Sequence, residues 1–247
     1  MISPPPLETP PAGEPFHPWL GVFETLRVAR GRAFFIEEHW QSLQASCLAL
    51  GLPCETDFRR AAGTLPAADG RWRWVVSGDG GARQIFTPEH LPARPRGLTL
   101  TLSRVRVGTE NLDARHKTLS YLAHWQARRE NPVGESLLLN EHGHVASGAM
   151  TNIFWFHNGT LCTPDESCGC RAGVTRAWVL AQAPMPVCIV RRAKPAALGL
   201  ADEIFLTNSL LGLCPVRQWQ DRRLPAPGPQ VRTLRRLYRL ACQKQLR

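Results

Sequence analysis

Only three lysines stand among the 30 basic residues of this 247-residue chain, and their surroundings differ. Lys244 lies in a basic C-terminal tail, and Lys194 lies in an arginine-rich stretch that indicates an exposed turn. Lys117 follows Arg115 and His116 and begins an apolar stretch. An amine acts as a nucleophile or general base only when it is neutral, a form that burial or a neighbouring cation favours. A single lysine is more often a surface charge, so both interpretations stay open for Lys117.

A second candidate site lies at Gly173-Val174-Thr175, directly before a predicted helix. A helix N-terminus offers free N–H groups and the positive end of the helix dipole to an anion such as phosphate. Thr175 adds a hydroxyl donor. Ordinary helix capping uses the same residue types, so it remains the alternative.

The elements that must position these residues follow from hydrophobic periodicity, because a repeat of two predicts strands and a repeat near 3.6 predicts helices. Together they predict an α+β fold with two subdomains. The predicted strands are 21–28, 33–36, 71–76, 84–87, 98–105, 136–140, 152–156, 160–163, 187–191 and 203–207, and the predicted helices are 37–50, 55–66, 116–130, 175–182 and one at the C-terminus.

The subdomain boundary is predicted at the polar segment 108–115. A smaller α/β subdomain would comprise 19–107 and a larger one 116–247. Residues 1–18 contain seven prolines, which predicts an extended or disordered segment.

The net charge of +10 raises the question of an acidic partner. The arginines are dispersed except in the C-terminal helix, where their spacing predicts a solvated face; a nucleic-acid surface is the less favoured alternative. No apolar run has the roughly 20 residues that a membrane span needs.

Eight cysteines in a chain of this length indicate buried thiols in a reducing cytoplasm. Cys168-Gly169-Cys170 lacks the spacing of a zinc site, so no metal is expected.

Several short segments, taken in order, resemble the class IV aminotransferase family, which comprises the fold-type IV pyridoxal-phosphate enzymes. The resemblance runs from about residue 20 to 220. Its segments are 21–28 (GVFETLRV), 38–52, 116–122 (HKTLSYL), 140–145, 151–154, 163–164, 173–176, 206–209 and 215–216.

The resemblance implies pyridoxal phosphate as the cofactor and an active site between the two subdomains. Lys117 would be the Schiff-base lysine. The other implied cofactor contacts are Val174, Thr175, Thr207, Ser147 and Asn152.

Two positions depart from the pattern of the family. Ser42 stands where members usually carry a phosphate-binding arginine, and we expect Arg71, or alternatively Arg73, to substitute for it. Ser147 stands where members carry the acid that keeps the pyridine nitrogen protonated. A hydroxyl favours the pyridinium far less than a carboxylate does, which disfavours transamination and remains compatible with elimination.

The opening strand and the 206–216 region most resemble the aminodeoxychorismate lyase branch, which releases pyruvate and forms 4-aminobenzoate for folate synthesis. Arg104 and Arg106 are the candidates for binding substrate carboxylates. The alternatives are an aminotransferase acting on a small amino acid and a descendant that has lost its cofactor. We expect a cytoplasmic homodimer.

Overall fold

A computed structural model describes residues 20–54, 57–78, 81–89 and 97–246 of the chain. These residues mix helices and strands, which confirms the predicted α+β class. They form two compact units. The first contains the described residues up to 89 together with His116–Ser120, and the second contains 97–115 and Tyr121–Gln245. The predicted proline-rich segment 1–18 lies outside the described residues.

The first unit is built on a four-stranded antiparallel sheet in the order β2-β1-β3-β4. Alternating residues of β1 and β3 point to opposite faces, and one face carries the core residues Leu26 and Trp72 against two helices. Phe58 stacks on Trp72 with 5.0 Å between the ring centroids. The elements are β1 (Gly21–Ala29), β2 (Arg32–Ala33), α1 (Ile36–Ala49), α2 (Phe58–Ala62), β3 (Gly70–Ser77) and β4 (Ala82–Pro88).

The opposite face of this sheet is polar and cationic. The register pairs Thr25 with Arg73 and Arg27 with Arg71, and directly opposed residues of an antiparallel pair share a face. Phe23 lies on the same face, two residues before Thr25 on β1. The fold thus separates an apolar core face from a face rich in arginine.

The segment 116–120 adds to the edge of this unit as extended chain. Thr118 forms an isolated bridge with Val22, and the N–H of Leu119 donates to the carbonyl of Gly21 over 2.9 Å. The helix predicted over 116–130 is therefore wrong in its first turn: α4 comprises Leu122–Glu130. Apolar spacing favoured a longer helix, but the backbone groups of 116–120 pair with β1 instead.

The second unit contains a nine-stranded mixed sheet in the order β10-β9-β8-β11-β12-β5-β6-β7, with β13 paired to β12. Its buried core includes Leu137, Ile153, Ile204 and Val216. The strands are β5 (Leu98–Val107), β6 (Glu135–Asn140), β7 (Val145–Gly148), β8 (Asn152–His157), β9 (Thr160–Pro164), β10 (Val187–Val190), β11 (Glu203–Asn208), β12 (Gly212–Trp219) and β13 (Arg222–Arg223); the remaining helices are α3 (Leu112–Arg115), α5 (Val174–Gln182), α6 (Pro195–Gly199) and α7 (Pro229–Lys244), with a 3-10 turn at Glu166–Cys168.

The division along the chain differs from the predicted boundary at 108–115. Strand β5 was expected in the first subdomain, but it pairs in parallel with β6 and β12 and so belongs to the second unit. The segment 116–120 was expected in the second subdomain, but it pairs with β1. Both differences come from strand pairing between residues far apart in sequence, which local periodicity does not reveal.

Helix α7 shows the predicted amphipathic pattern. Val231, Leu234 and Tyr238 are buried, and Arg236 and Arg239 are exposed. Within the part of the chain that the structure describes, no helix combines the length and apolarity needed to cross a bilayer.

Candidate active site

The start of α5 forms a cradle of hydrogen-bond donors in the second unit. Gly173 is the N-cap residue and gives no side-chain cap, and the first N–H groups of a helix have no partner within it. Thr175 is 3% exposed, and its hydroxyl has no hydrogen-bond partner among the described residues. Such a buried orphan hydroxyl costs about 1–3 kcal/mol, which a ligand with acceptor oxygens would offset.

Strand β11 brings a second orphan hydroxyl to the same region, since α5 packs against β11. Thr207 is 1% exposed, and within the described chain its hydroxyl also has no partner. Thr207 pairs in register with Asn152 on β8. The structure thus brings together the predicted contacts Val174, Thr175, Thr207 and Asn152.

Asn152 holds the loop that leads into α5. Its side-chain amide donates to the carbonyl of Arg171 over 2.8 Å. A Cβ at Gly173 would lie 2.3 Å from the side-chain oxygen of Asn152, so a larger residue at this N-cap would displace the Asn152 amide. Asn152 therefore supports the cradle through the loop rather than by pointing a free amide into it.

Ser147 lies on β7 and is 6% exposed. The nearby buried carboxylate, Glu135, accepts hydrogen bonds from the hydroxyl of Thr151 and the N–H of Ser136. A Cβ at Gly148 would lie 3.0 Å from the Cγ of Glu135. Successive residues of a strand point to opposite faces, so Glu135 is on the face away from the Ser147 side chain. Glu135 consequently does not replace the acid that is missing at position 147.

Lys117 is fixed in the first unit by its backbone and by an aromatic ring. Its carbonyl accepts from the N–H of Phe23 over 2.8 Å, and its Nζ lies 5.0 Å from the centroid of the Phe23 ring. The guanidinium carbon of Arg73 lies 4.8 Å from the same centroid. The Phe23 ring therefore contacts both the amine of Lys117 and the guanidinium of Arg73.

Arg71, the predicted substitute for the missing phosphate arginine, has a different neighbour. Its Nε lies 3.9 Å from a carboxylate oxygen of Glu89. Of the two arginines considered on β3, Arg73 is the one that shares the Phe23 ring with Lys117. The assignment of Arg71 to the cofactor phosphate stays a prediction.

The position of the missing arginine is occupied by a buried network that the sequence analysis did not identify. The Ser42 hydroxyl donates to Oε1 of Glu24 over 2.9 Å, and Oε2 of Glu24 lies 2.8 Å from Nδ1 of His39. Glu24 and His39 are each 1% exposed. One turn further along α1, the hydroxyl of Ser46 lies 3.2 Å from Nδ1 of His116, next to Lys117. Helix α1 thereby connects β1 to the lysine segment.

Arg104 and Arg106, the predicted carboxylate-binding residues, have partners of their own in the second unit. Arg104 is 94% exposed and lies 3.6 Å from Glu130 in a surface groove that Trp125 also lines. The Arg106 guanidinium donates to the carbonyl of Ser103 over 2.8 Å. Among the described contacts, neither arginine reaches the cradle.

Residues 21–219 match the sequence profile of the amino-transferase class IV family. The chain belongs to the class IV aminotransferases. Members of this family use pyridoxal phosphate, and the fold of the chain is that of the fold-type IV pyridoxal-phosphate enzymes. The family, fold and cofactor predicted from the sequence are thus confirmed.

Two kinds of protein are among the relatives similar to this chain. The aminodeoxychorismate lyase of Bacillus subtilis (strain 168) is 27% identical over 232 residues, which cover 82% of this chain and 78% of that protein. A probable branched-chain-amino-acid aminotransferase of Thermotoga maritima is 27% identical over 226 residues, with 86% and 83% covered. The crystal structure of 4-amino-4-deoxychorismate lyase from Pseudomonas aeruginosa has a TM-score of 0.77 and 31% identity, covering 89% of this chain and 90% of that chain.

The donor set of the cradle suits the phosphate of the class IV cofactor. Phosphate oxygens are strong acceptors, and the Thr175 and Thr207 hydroxyls are buried donors without a partner in the described chain. The α5 N-terminus adds N–H groups and the positive end of the helix dipole. These are the residues that would hold pyridoxal phosphate in the second unit.

Proposed function

We propose that this class IV aminotransferase homologue acts as a lyase on aminodeoxychorismate, releasing pyruvate and forming 4-aminobenzoate. The observation that carries the proposal is Ser147, a neutral residue at the position of the family acid, with Glu135 turned to the other face of β7. A neutral side chain supports the pyridinium form weakly. Elimination tolerates that loss better than amino-group exchange does.

Lys117 is the proposed catalytic residue. When bound, pyridoxal phosphate supplies an electron-accepting ring on which the substrate amine is activated. Lys117 would hold the cofactor covalently and then move protons at the substrate as general base and general acid. Its contact with Phe23, 5.0 Å from Nζ to the ring centroid, would orient the amine, and Arg73 contacts the same ring.

The cofactor phosphate is assigned to the N-terminus of α5 and to β11. The Thr175 and Thr207 hydroxyls and the backbone N–H groups at Val174 and Thr175 would donate to it. Ser147 would donate a hydrogen bond toward the pyridine nitrogen, and Asn152 would keep the cradle loop in place. Arg71 remains the sequence-based candidate for an additional phosphate cation.

The substrate carboxylates are assigned first to Arg73. Its guanidinium shares the Phe23 ring with Lys117, and Thr25, its partner in the sheet, buries a hydroxyl with no hydrogen-bond partner in the described chain. Arg104 and Arg106 remain the alternative assignment, although their guanidinium groups already contact Glu130 and backbone carbonyls.

The first experiment asks whether Lys117 binds the cofactor. The purified protein is saturated with pyridoxal phosphate, its visible spectrum is recorded, and the sample is reduced with borohydride and digested. We expect a cofactor-sized mass adduct on the peptide that contains Lys117. No absorbance change and no adduct at saturating cofactor would overturn the proposal.

The second experiment separates the two activities of the relatives. Pyruvate released from aminodeoxychorismate is measured with a coupled lactate dehydrogenase assay, and amino-group exchange is measured between branched-chain or other small amino acids and 2-oxoglutarate. We expect pyruvate release with little exchange. The aminotransferase alternative, which the Thermotoga maritima relative favours, predicts the reverse.

The oligomeric state and location complete the proposal. Relatives of this chain are typically oligomeric, and we expect a homodimer that works in the cytoplasm. Light scattering coupled to gel filtration measures the mass in solution, and a monomer at micromolar concentration would contradict the dimer.

A further inference from the structure

Two cysteines lie directly opposite each other on adjacent strands of the second unit. Cys162 on β9 and Cys188 on β10 are Cα partners in a parallel ladder. Paired residues of neighbouring strands share a face, and the strands lie about 4.8 Å apart. Disulfides span Cα separations of roughly 4.4–6.8 Å, so this pairing meets the first geometric requirement for a bridge.

The two thiols are register partners on adjacent strands but differ in their access to solvent. Cys162 is 8% exposed, whereas Cys188 is exposed. Within the described sheet, β10 is an edge strand that pairs with β9 alone, and its residues Val187 and Ile189 are also exposed. A four-residue edge strand can make the small adjustment that the dihedral angle of a disulfide requires.

We propose that Cys162 and Cys188 form a reversible disulfide when the protein meets hydrogen peroxide. The Cys188 sulfur attacks the peroxide O–O bond and becomes a sulfenic acid, releasing water. The Cys162 sulfur then attacks the Cys188 sulfur, the S–S bond forms, and a second water leaves. Two thiols lose two hydrogens in total, and one peroxide is reduced to two waters.

Four of the other described thiols are poorer targets for this oxidation. Cys168 and Cys170 are 1% and 2% exposed, and their thiols donate to backbone carbonyls. In the pair Cys47 and Cys54, Cys47 is fully buried and Cys54 is only partly exposed, and burial raises the pKa of both thiols. The proposed pair differs because one member, Cys188, is exposed. A buried, protonated thiol is a weak nucleophile toward peroxide. The exposed Cys188 beside its partner is therefore expected to react first.

The bridge would close a loop over residues 163–187, which contains the whole of α5. Cross-linking the ends of a loop restricts the unfolded and partly opened states of the chain between them. Oxidation is therefore expected to slow proteolysis within this loop without altering the fold of the sheet.

The test uses the pyridoxal-phosphate-loaded protein, one equivalent of hydrogen peroxide, rapid alkylation of free thiols and peptide mass mapping. We expect a linked peptide pair containing Cys162 and Cys188, two hydrogens lighter than the sum of the free peptides, that dithiothreitol separates. Limited proteolysis of the oxidised sample should show slower cleavage between residues 163 and 187.

Two variants make the assignment specific. Cys188→Ser should abolish the linked pair and leave Cys162 alkylated, whereas the matched control Cys54→Ser should retain it. The proposal is overturned if wild-type Cys188 is recovered as a sulfinic acid while Cys162 stays a free thiol. It is also overturned if Cys47 and Cys54 link while Cys162 and Cys188 stay reduced. Both readouts use the wild-type protein, so they stand even if a variant fails to fold.

Discussion

The hydroxyl of Ser42 donates a 2.9 Å hydrogen bond to the carboxylate of Glu24, at the helix position where the family resemblance implies an arginine. The contacts with Ser42 and His39 keep this carboxylate satisfied without the cation that an arginine would supply. Introducing the cation should therefore act on cofactor affinity. Ser42→Arg is expected to tighten pyridoxal phosphate binding about tenfold or more, the effect of one charge-assisted hydrogen bond.

A spectral titration of the apoenzyme measures this affinity. The matched control is Gln41→Arg, which adds the same charge to an exposed position one residue earlier on α1. Equal cofactor affinities for the two variants would mean that a side chain at position 42 does not contact the cofactor phosphate.

The orphan hydroxyls of Thr175 and Thr207 predict opposite effects on the empty and loaded protein. Replacing either by valine removes a buried hydroxyl that has no partner among the described residues, so the apoenzyme should keep or gain stability. The same change removes a donor to phosphate and should weaken cofactor binding about 10- to 100-fold. Thermal unfolding with and without cofactor measures both effects.

Thr163→Val is the control for this pair, because the buried Thr163 hydroxyl donates to the carbonyl of Ile153 over 2.8 Å. Its loss should destabilise the apoenzyme by about 1 kcal/mol. Apoenzymes of Thr175→Val and Thr207→Val that lose as much stability would show that these hydroxyls have partners in the empty protein.

Ser147 predicts a change in reaction preference. Ser147→Glu supplies a carboxylate that favours the pyridinium form, so amino-group exchange should rise at least about tenfold relative to pyruvate release. Steady-state assays of both reactions give the ratio. Ser147→Gln, with a side chain of similar size and no charge, should leave the ratio unchanged; an equal rise in this variant would attribute the effect to side-chain size.

Glu135 predicts a pH dependence of stability. Burial raises the pKa of its carboxyl, so the folded chain keeps the proton where the unfolded chain, with a pKa near 4.3, has released it. The contribution of this group to the free energy of unfolding is complete below about pH 4.3 and decreases as the pH rises through the raised pKa. Glu135→Gln cannot titrate, and its stability should fall less than that of the wild type above that pH.

Urea unfolding of the apoenzyme across this range tests the prediction for Glu135. Glu141→Gln is a control of opposite sign, since hydrogen bonds from Thr109 lower the pKa of the Glu141 carboxyl. The stabilisation from Glu141 is present above the unfolded pKa and is lost as the pH falls. Parallel pH profiles for wild type and Glu135→Gln would contradict the assignment.

Arg73 and Arg104 predict different effects on substrate affinity. Arg73→Gln removes the guanidinium that shares the Phe23 ring with Lys117, and the KM for aminodeoxychorismate should rise at least about tenfold. Arg104→Gln removes a 94% exposed side chain next to Glu130 and should leave KM nearly unchanged. A larger effect at Arg104 would restore the sequence-based assignment.

Local sequence patterns predicted those parts of the molecule that depend on local periodicity. Strand β1, helix α1 and the start of α5 with its Thr175 hydroxyl were visible in the pattern of apolar and capping residues. Thr207 required the family resemblance, because an isolated threonine on a buried strand carries no local signal. The hydrogen bonds among Glu24, His39 and Ser42 could not be predicted, since they join residues 15 and 18 positions apart.

Pairing between distant strands explains the remaining differences. The segment 116–120 has the apolar spacing of a helix, yet its backbone pairs with β1 almost 100 residues earlier. Strand β5 likewise finds its partners β6 and β12 far along the chain. The pairing of Cys162 with Cys188 also depends on the register between two strands, which the sequence alone does not predict.

In evolutionary terms, the hydrogen bond from Ser42 to Glu24 separates selection for stability from selection for cofactor binding. Because the carboxylate stays hydrogen-bonded, loss of the arginine leaves no unsatisfied charge in the core, and selection for stability alone does not oppose it. Selection on the residue at position 42 then acts only through its effect on cofactor affinity. A library of variants at position 42 that is selected for folding would retain serine. The same library selected for activity at limiting pyridoxal phosphate would favour arginine.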